Sequence, residues 1–195
     1  MSHIAKEENP DLPFILLGHS MGSFAAQQYA ISHSREIDGL ALSGSGALDG
    51  LARLASLAPA GTNILNTPFE PARTPFDWLS RDSAVVDAFI NDQLCFAELQ
   101  PMAHASFLAN APLLSDPDSL RTIRDDLPIY LSSGSEDPVG QQLKGVRLLI
   151  DRYHKAGVCG ITYDFYPGGR HEMLNEINFD EVRACLLGWI SHIAK

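Results

Sequence analysis

The chain has 195 residues, 45% of them hydrophobic and 19% charged, with a formal net charge of -10. That length and balance suit one globular domain with its own core, and an acidic chain without a basic cluster argues against nucleic acid or an anionic membrane surface as its main partner. The 3 cysteines and 7 histidines show no metal-ligand spacing, so no metal site and a reduced, cytoplasmic setting are expected.

The opening MSHIAKEENPDLP is polar, which predicts no signal peptide, and no apolar run is long enough to span a bilayer. Residues 13–18, PFILLG, form a continuous apolar run, the pattern of a strand buried on both faces of a parallel sheet. Helix is predicted over 21–33, and a second strand over 40–43, ended by Gly44 and Gly46. From 48 to 118 there is no clear strand pattern. Short helical pieces, such as 83–94, alternate there with loops rich in Pro, Thr and Asn. So long an insertion between two strands predicts a cap over one end of the sheet. Leu48, Leu51, Leu54 and Leu57, and Phe76, Trp78, Phe89 and Phe107, suit core packing for the most part, with a few left to line an apolar cleft.

A third strand is predicted over 129–133. Leu143, Val146, Leu149, Ile150 and Tyr153 then fall at helical spacing, with Gly157 as the stop. Ile161, Tyr163 and Phe165 alternate as a fourth strand. Val182, Leu186, Trp189, Ile190 and Ile193 form the apolar face of a closing helix. Strands alternating with helices predict an α/β fold, with a mostly parallel sheet of about four strands flanked by helices. The expected organisation is a single domain, with a core of 1–47 and 119–195 and a mainly helical cap at 48–118.

The stretch ILLGHSMGS, residues 15–23, sets Ser20 between two glycines where strand gives way to helix. In such a turn the serine backbone is strained and its hydroxyl points out of the sheet. Gly18 and Gly22 are expected to remove side chains that would collide there. Met21 opens the helix, so its N–H has no intrahelical acceptor and lies at the positive end of the dipole. A negative charge growing beside Ser20 would be stabilised there. The pattern G-x-S-x-G fixes few positions and recurs by chance; the strand before it and the small-residue helix after it give it weight.

A serine hydroxyl needs a base to become a nucleophile. His171, in the glycine-rich YPGGRHEML after the fourth strand, is placed to serve; the alternative for one histidine is a solvated loop residue. GSEDPVG, after the third strand, offers Glu136 and Asp137 as the acid that fixes the base's tautomer. The order serine, acid, histidine is that of α/β-hydrolases.

Taken together, GHSMGS, SGSEDPVG and YPGGRHEMLNE resemble the α/β-hydrolase branch of monoacylglycerol lipases, lysophospholipases and serine aminopeptidase-like esterases. FDWLSRDSAVVDAFINDQLC, residues 76–95, resembles the cap of that branch. The resemblance implies an esterase or lipase on short-chain or single-chain acyl esters, with no cofactor. It also implies Ser20 as nucleophile, Asp137 (directly before Pro-Val) as acid, His171 as base, Met21 as oxyanion donor and Glu172 as a loop hydrogen-bonder. His19 is either a wall of the substrate pocket or a packing residue, and Val139 borders the site. Members of the branch carry further strands and a His-Gly oxyanion segment before the nucleophile strand. The expectation here is therefore an N-terminally truncated hydrolase: an exposed edge strand, slow turnover and a homo-oligomer formed through that edge. The competing expectation is a catalytically weak or inactive remnant that acts as a binding module.

Overall fold

A computed structural model of the chain describes residues 2–95 and 101–195; the stretch 96–100 of the expected cap lies outside them. Four parallel strands stand side by side in chain order: β1 (Ile15–His19), β2 (Gly39–Ser43), β3 (Ile129–Gly134) and β4 (Ile161–Tyr166). Leu16 pairs with Leu40, Leu40 with Ile129 and Ile129 with Ile161, so all four strands run out at one end. Every residue of β2 and β3 is buried, as short apolar runs between helical layers should be.

The first strand departs from the expectation of burial on both faces. It is an edge strand with β2 as its neighbour, and Leu17 is 46% exposed. Successive residues of a strand face opposite ways. A short helix, α1 (Ser2–Glu8), precedes β1; Gly18 faces the helix after it, α2 (Met21–His33), and Leu17 therefore points to the other side. At the opposite edge, β4 lacks the clean alternation of its sequence; Tyr163 is exposed and stacks on Phe165, which lies under Arg147.

The helices follow the sequence closely outside the insertion. In α2, Phe24, Ala26, Gln27, Ala30 and Ile31 turn inward. A helix at Lys144–Ala156 buries Val146, Leu149, Ile150 and Tyr153, and Gly157 ends it in the left-handed conformation that glycine adopts without penalty. Leu143 stands just outside that helix. A last helix covers Phe179–Ile193. Between β2 and β3 the described residues form five short helices, at Leu48–Leu57, Ser83–Asn91, Pro101–Leu108, Ala111–Ser115 and Pro117–Leu120. Leu48, Leu51, Ala111 and Leu114 share one buried cluster with Leu40, Leu42 and Ile129. The two ends of the insertion thus extend the core, while Leu54 and Leu57 turn to solvent.

Candidate active site

The strand β1 ends at His19 and α2 begins at Met21, which leaves Ser20 alone to reverse the chain. It does so at φ 52 and ψ -126, a positive φ that costs a non-glycine residue on the order of 1–3 kcal/mol. Ser20 N–H donates to Ser43 O at 3.0 Å, which ties the turn to the end of β2. The flanking glycines are not equivalent. A Cβ on Gly18 would lie 2.6 Å from Gly22 O and 2.8 Å from Ser23 Cα and Ala26 Cβ. A Cβ on Gly22 would meet nothing within 4 Å, because that position opens outward from the helix start. The expectation that both glycines relieve collisions therefore holds for Gly18 alone.

His171 closes the site. Its Nε2 lies 2.9 Å from Ser20 Oγ and its Nδ1 lies 3.0 Å from Asp137 Oδ1. That oxygen also accepts Val139 N–H at 2.9 Å. The histidine is 1% exposed and the aspartate 0%. Glu136 faces solvent and uses its N–H on Gly169 O, so Asp137 is the carboxylate at the ring. Burial works against the imidazolium, but the charge and hydrogen bond of Asp137 outweigh it and, with the charge of Glu172, lift the His171 pKa above its ordinary value.

His19 stands behind the base, with ring centroids 5.0 Å apart. Its Nε2 meets Glu172 Oε1 at 3.0 Å and its Nδ1 lies 3.2 Å from Ser43 Oγ. Burial disfavours the Glu172 carboxylate, yet the hydrogen bond and charge of His19, with the charge of His171, carry its pKa below the usual range. His19 is not among the described residues that line the cavity, and its ring is engaged with Glu172, Ser43 and His171. His19, His171 and Glu172 are also the one cluster of metal-type donors among the described residues. Their donors are engaged with one another, with Ser43, with Ser20 and with Asp137.

A cavity of about 570 Å³ opens over Ser20 and Met21. Val139 borders it, and so do Phe76, Trp78, Phe89 and Phe107, which sequence reasoning gave mainly to the core. Phe24, Ile64, Leu65 and Leu108 join them unforeseen, since their spacing gives no sign that they converge. Gly44, Ser45 and Gly46 of the loop after β2 are not among the described residues that line this cavity, and Gly44 backs onto the His171 ring. Gly44 N–H donates to Ser132 O, and Gln27 Nε2 donates to Ser45 Oγ at 2.9 Å and Gly46 O at 3.2 Å.

A model of the family described as serine aminopeptidase, S33, matches residues 1–178. The chain belongs to this family. Among curated relatives of this S33 chain is the monoacylglycerol lipase of Mycolicibacterium smegmatis, 29% identical over 193 residues, 97% of this chain and 66% of the relative. The chain thus spans just under two thirds of that relative's length. Among solved structures, a thermostable carboxyl esterase from Bacillus coagulans in complex with glycerol superposes with a TM-score of 0.85 at 28% identity, over 99% of this chain and 69% of that one. A soluble variant of monoglyceride lipase from Saccharomyces cerevisiae, in complex with a substrate analog, shares the fold with a TM-score of 0.72 at 18% identity, over 100% of this chain and 68% of that one. The S33 chain has the four-stranded parallel sheet and flanking helices of these α/β-hydrolases.

Proposed function

We propose that the chain hydrolyses carboxylic esters, with Ser20 as nucleophile, His171 as base and Asp137 as its orienting acid. The observation that carries the reading is the pair of contacts on one ring, His171 Nε2 to Ser20 Oγ and Nδ1 to Asp137 Oδ1. Ser20 Oγ attacks the acyl carbon as His171 Nε2 takes its proton. The oxyanion that forms faces Met21 N–H at the start of α2. The imidazolium, held by Asp137, then gives its proton to the leaving alcohol. Water, deprotonated by the same nitrogen, adds to the acyl carbon, and the collapsing intermediate releases the acid and restores Ser20.

The cavity supports a substrate with one acyl chain. Its volume is within the range of small-ligand sites, and its wall is mostly aliphatic and aromatic. The relatives named for monoacylglycerol lipase and carboxyl esterase activity point the same way. Short acyl esters are expected to turn over faster than triglycerides. Turnover is expected to be slow where Met21 N–H serves as the single oxyanion donor, because removing one of two donors costs about 10²–10³ in kcat. The free thiols of Cys95, Cys159 and Cys185 fit a reducing, cytoplasmic setting. The exposed β1 edge fits pairing with a second copy of the chain.

The test is fluorophosphonate labelling together with turnover of a short aryl ester. Ser20 should take the label, and Ser20→Ala and His171→Ala should each abolish turnover, because such groups act as a unit. Ordinary turnover by Ser20→Ala would overturn the mechanism. A folded wild-type chain that neither labels nor turns over would favour a binding module.

A further inference from the structure

We propose that Glu176 is a positioning residue for His171, clamping the loop that carries the base to residues 77–82 of the insertion. Its kinetic consequence rests on the hydrolase reading above; the clamp itself rests on geometry. Glu176 is 0% exposed. Its Oε1 accepts the backbone N–H groups of Arg170 and Arg81, both at 3.0 Å. Its Oε2 accepts Arg81 Nε–H at 3.0 Å and Ile177 N–H at 2.9 Å. A buried carboxylate is costly unless donors satisfy it, and here they come from two segments some 95 residues apart in sequence.

Those two segments meet along a seam. His171 N–H donates to Trp78 O at 3.4 Å and Glu172 N–H to Leu79 O at 2.7 Å. The Arg170 guanidinium reaches the carbonyls of Asp77 and, at 3.2 Å, Ser80. Arg81 reaches the other way, with Nη2 donating to Asn178 Oδ1 at 3.1 Å. Glu176 is the acceptor common to Arg170, one residue before the base, and Arg81, on the insertion. Without its carboxylate, part-buried N–H groups on both sides of the seam lose their partner. The loop is then free to relax, and a shift of about 1 Å at a reacting group can cost about 10²-fold in rate.

A merely structural acid would lower stability and leave the chemistry of the surviving folded molecules alone. The experiment therefore compares Glu176→Gln and Arg81→Met with Val158→Ala, a core truncation just before β4 and far from the site. It reads kcat and KM on a short aryl ester, and the ring ¹⁵N shifts of His171, which report its tautomer and its bond to Asp137. Glu176→Gln should lower kcat about ten- to a hundredfold with KM nearly unchanged, and should move the ring shifts toward a mixed, solvent-like tautomer. Val158→Ala should change neither. If Glu176→Gln does not fold, Arg81→Met gives the same readings from the other side of the seam. Unchanged kcat and ring shifts in a folded variant overturn the proposal. If the wild-type chain shows no turnover or labelling, the hydrolase reading fails, and the ring shifts alone still decide whether the clamp orients His171.

Discussion

At Ser20 one residue turns a strand into a helix, and the space around it is divided unevenly. Gly18, in β1, is pressed against α2, and a methyl group there would meet backbone that cannot swing aside. Gly18→Ala should cost about 3 kcal/mol or more and lower turnover with it. Gly22→Ala adds a methyl in open space near the start of a helix, so it should be neutral or stabilising by about 0.5–1 kcal/mol. Denaturant melts of the two variants check both, and equal losses would refute the distinction. The raised pKa of His171 sets a second expectation. The ring must be neutral to act as base, so kcat/KM should fall as pH drops through a pKa above 6.5. Glu172→Gln removes one of the charges that favour the imidazolium, so the acid limb should shift to lower pH; an unmoved limb would contradict the assigned cause. That Ser20, Asp137 and His171 meet is foreshadowed in the sequence, because the proposed chemistry takes those residue types in that order after strand ends. The pairing of His19 with Glu172 is not, because it joins positions 153 apart through a fold that neither local pattern encodes.

The strands and their helices were equally legible. Apolar runs, stops at Gly44 and Gly157, and the spacing of Val146, Leu149, Ile150 and Tyr153 each act within a few residues. The insertion has no such local grammar. Its aromatic residues reach one cavity through turns and short helices whose directions depend on tertiary packing, so core and cleft read alike along the chain. Phe107 shows the difference. It packs edge-on against Phe24 at 5.4 Å and lines the cavity at the same time. Phe107→Ala should enlarge the cavity and move the preferred acyl length upward, at less than the about 3–5 kcal/mol lost when a fully buried Phe is truncated. A series of aryl esters of rising acyl length measures this. A profile identical to that of the wild type would mean that the acyl chain lies elsewhere.

At the scale of the whole sheet, β1 is an edge strand with β2 as its neighbour among the described residues, and its Leu17 is exposed. Such an edge invites pairing, and the mass in solution should rise with concentration toward a dimer; a monomer at every concentration would refute this. The order of the strands has a further consequence. Ser20 follows β1 and His171 follows β4, at opposite margins of the sheet. Three strand spacings put those margins roughly 14 Å apart, yet Oγ and Nε2 stand 2.9 Å from each other. The loop carrying the histidine must lean back across the tops of β2 and β3, so the ladder between them works as a ruler that sets the reacting distance. If β1 frays, the ruler slips at one end and separates serine from histidine while most of the sheet is still intact. Heating should therefore extinguish ester turnover several degrees before the far-ultraviolet signal of the fold collapses, and coincident transitions would show that the margin is as firm as the centre.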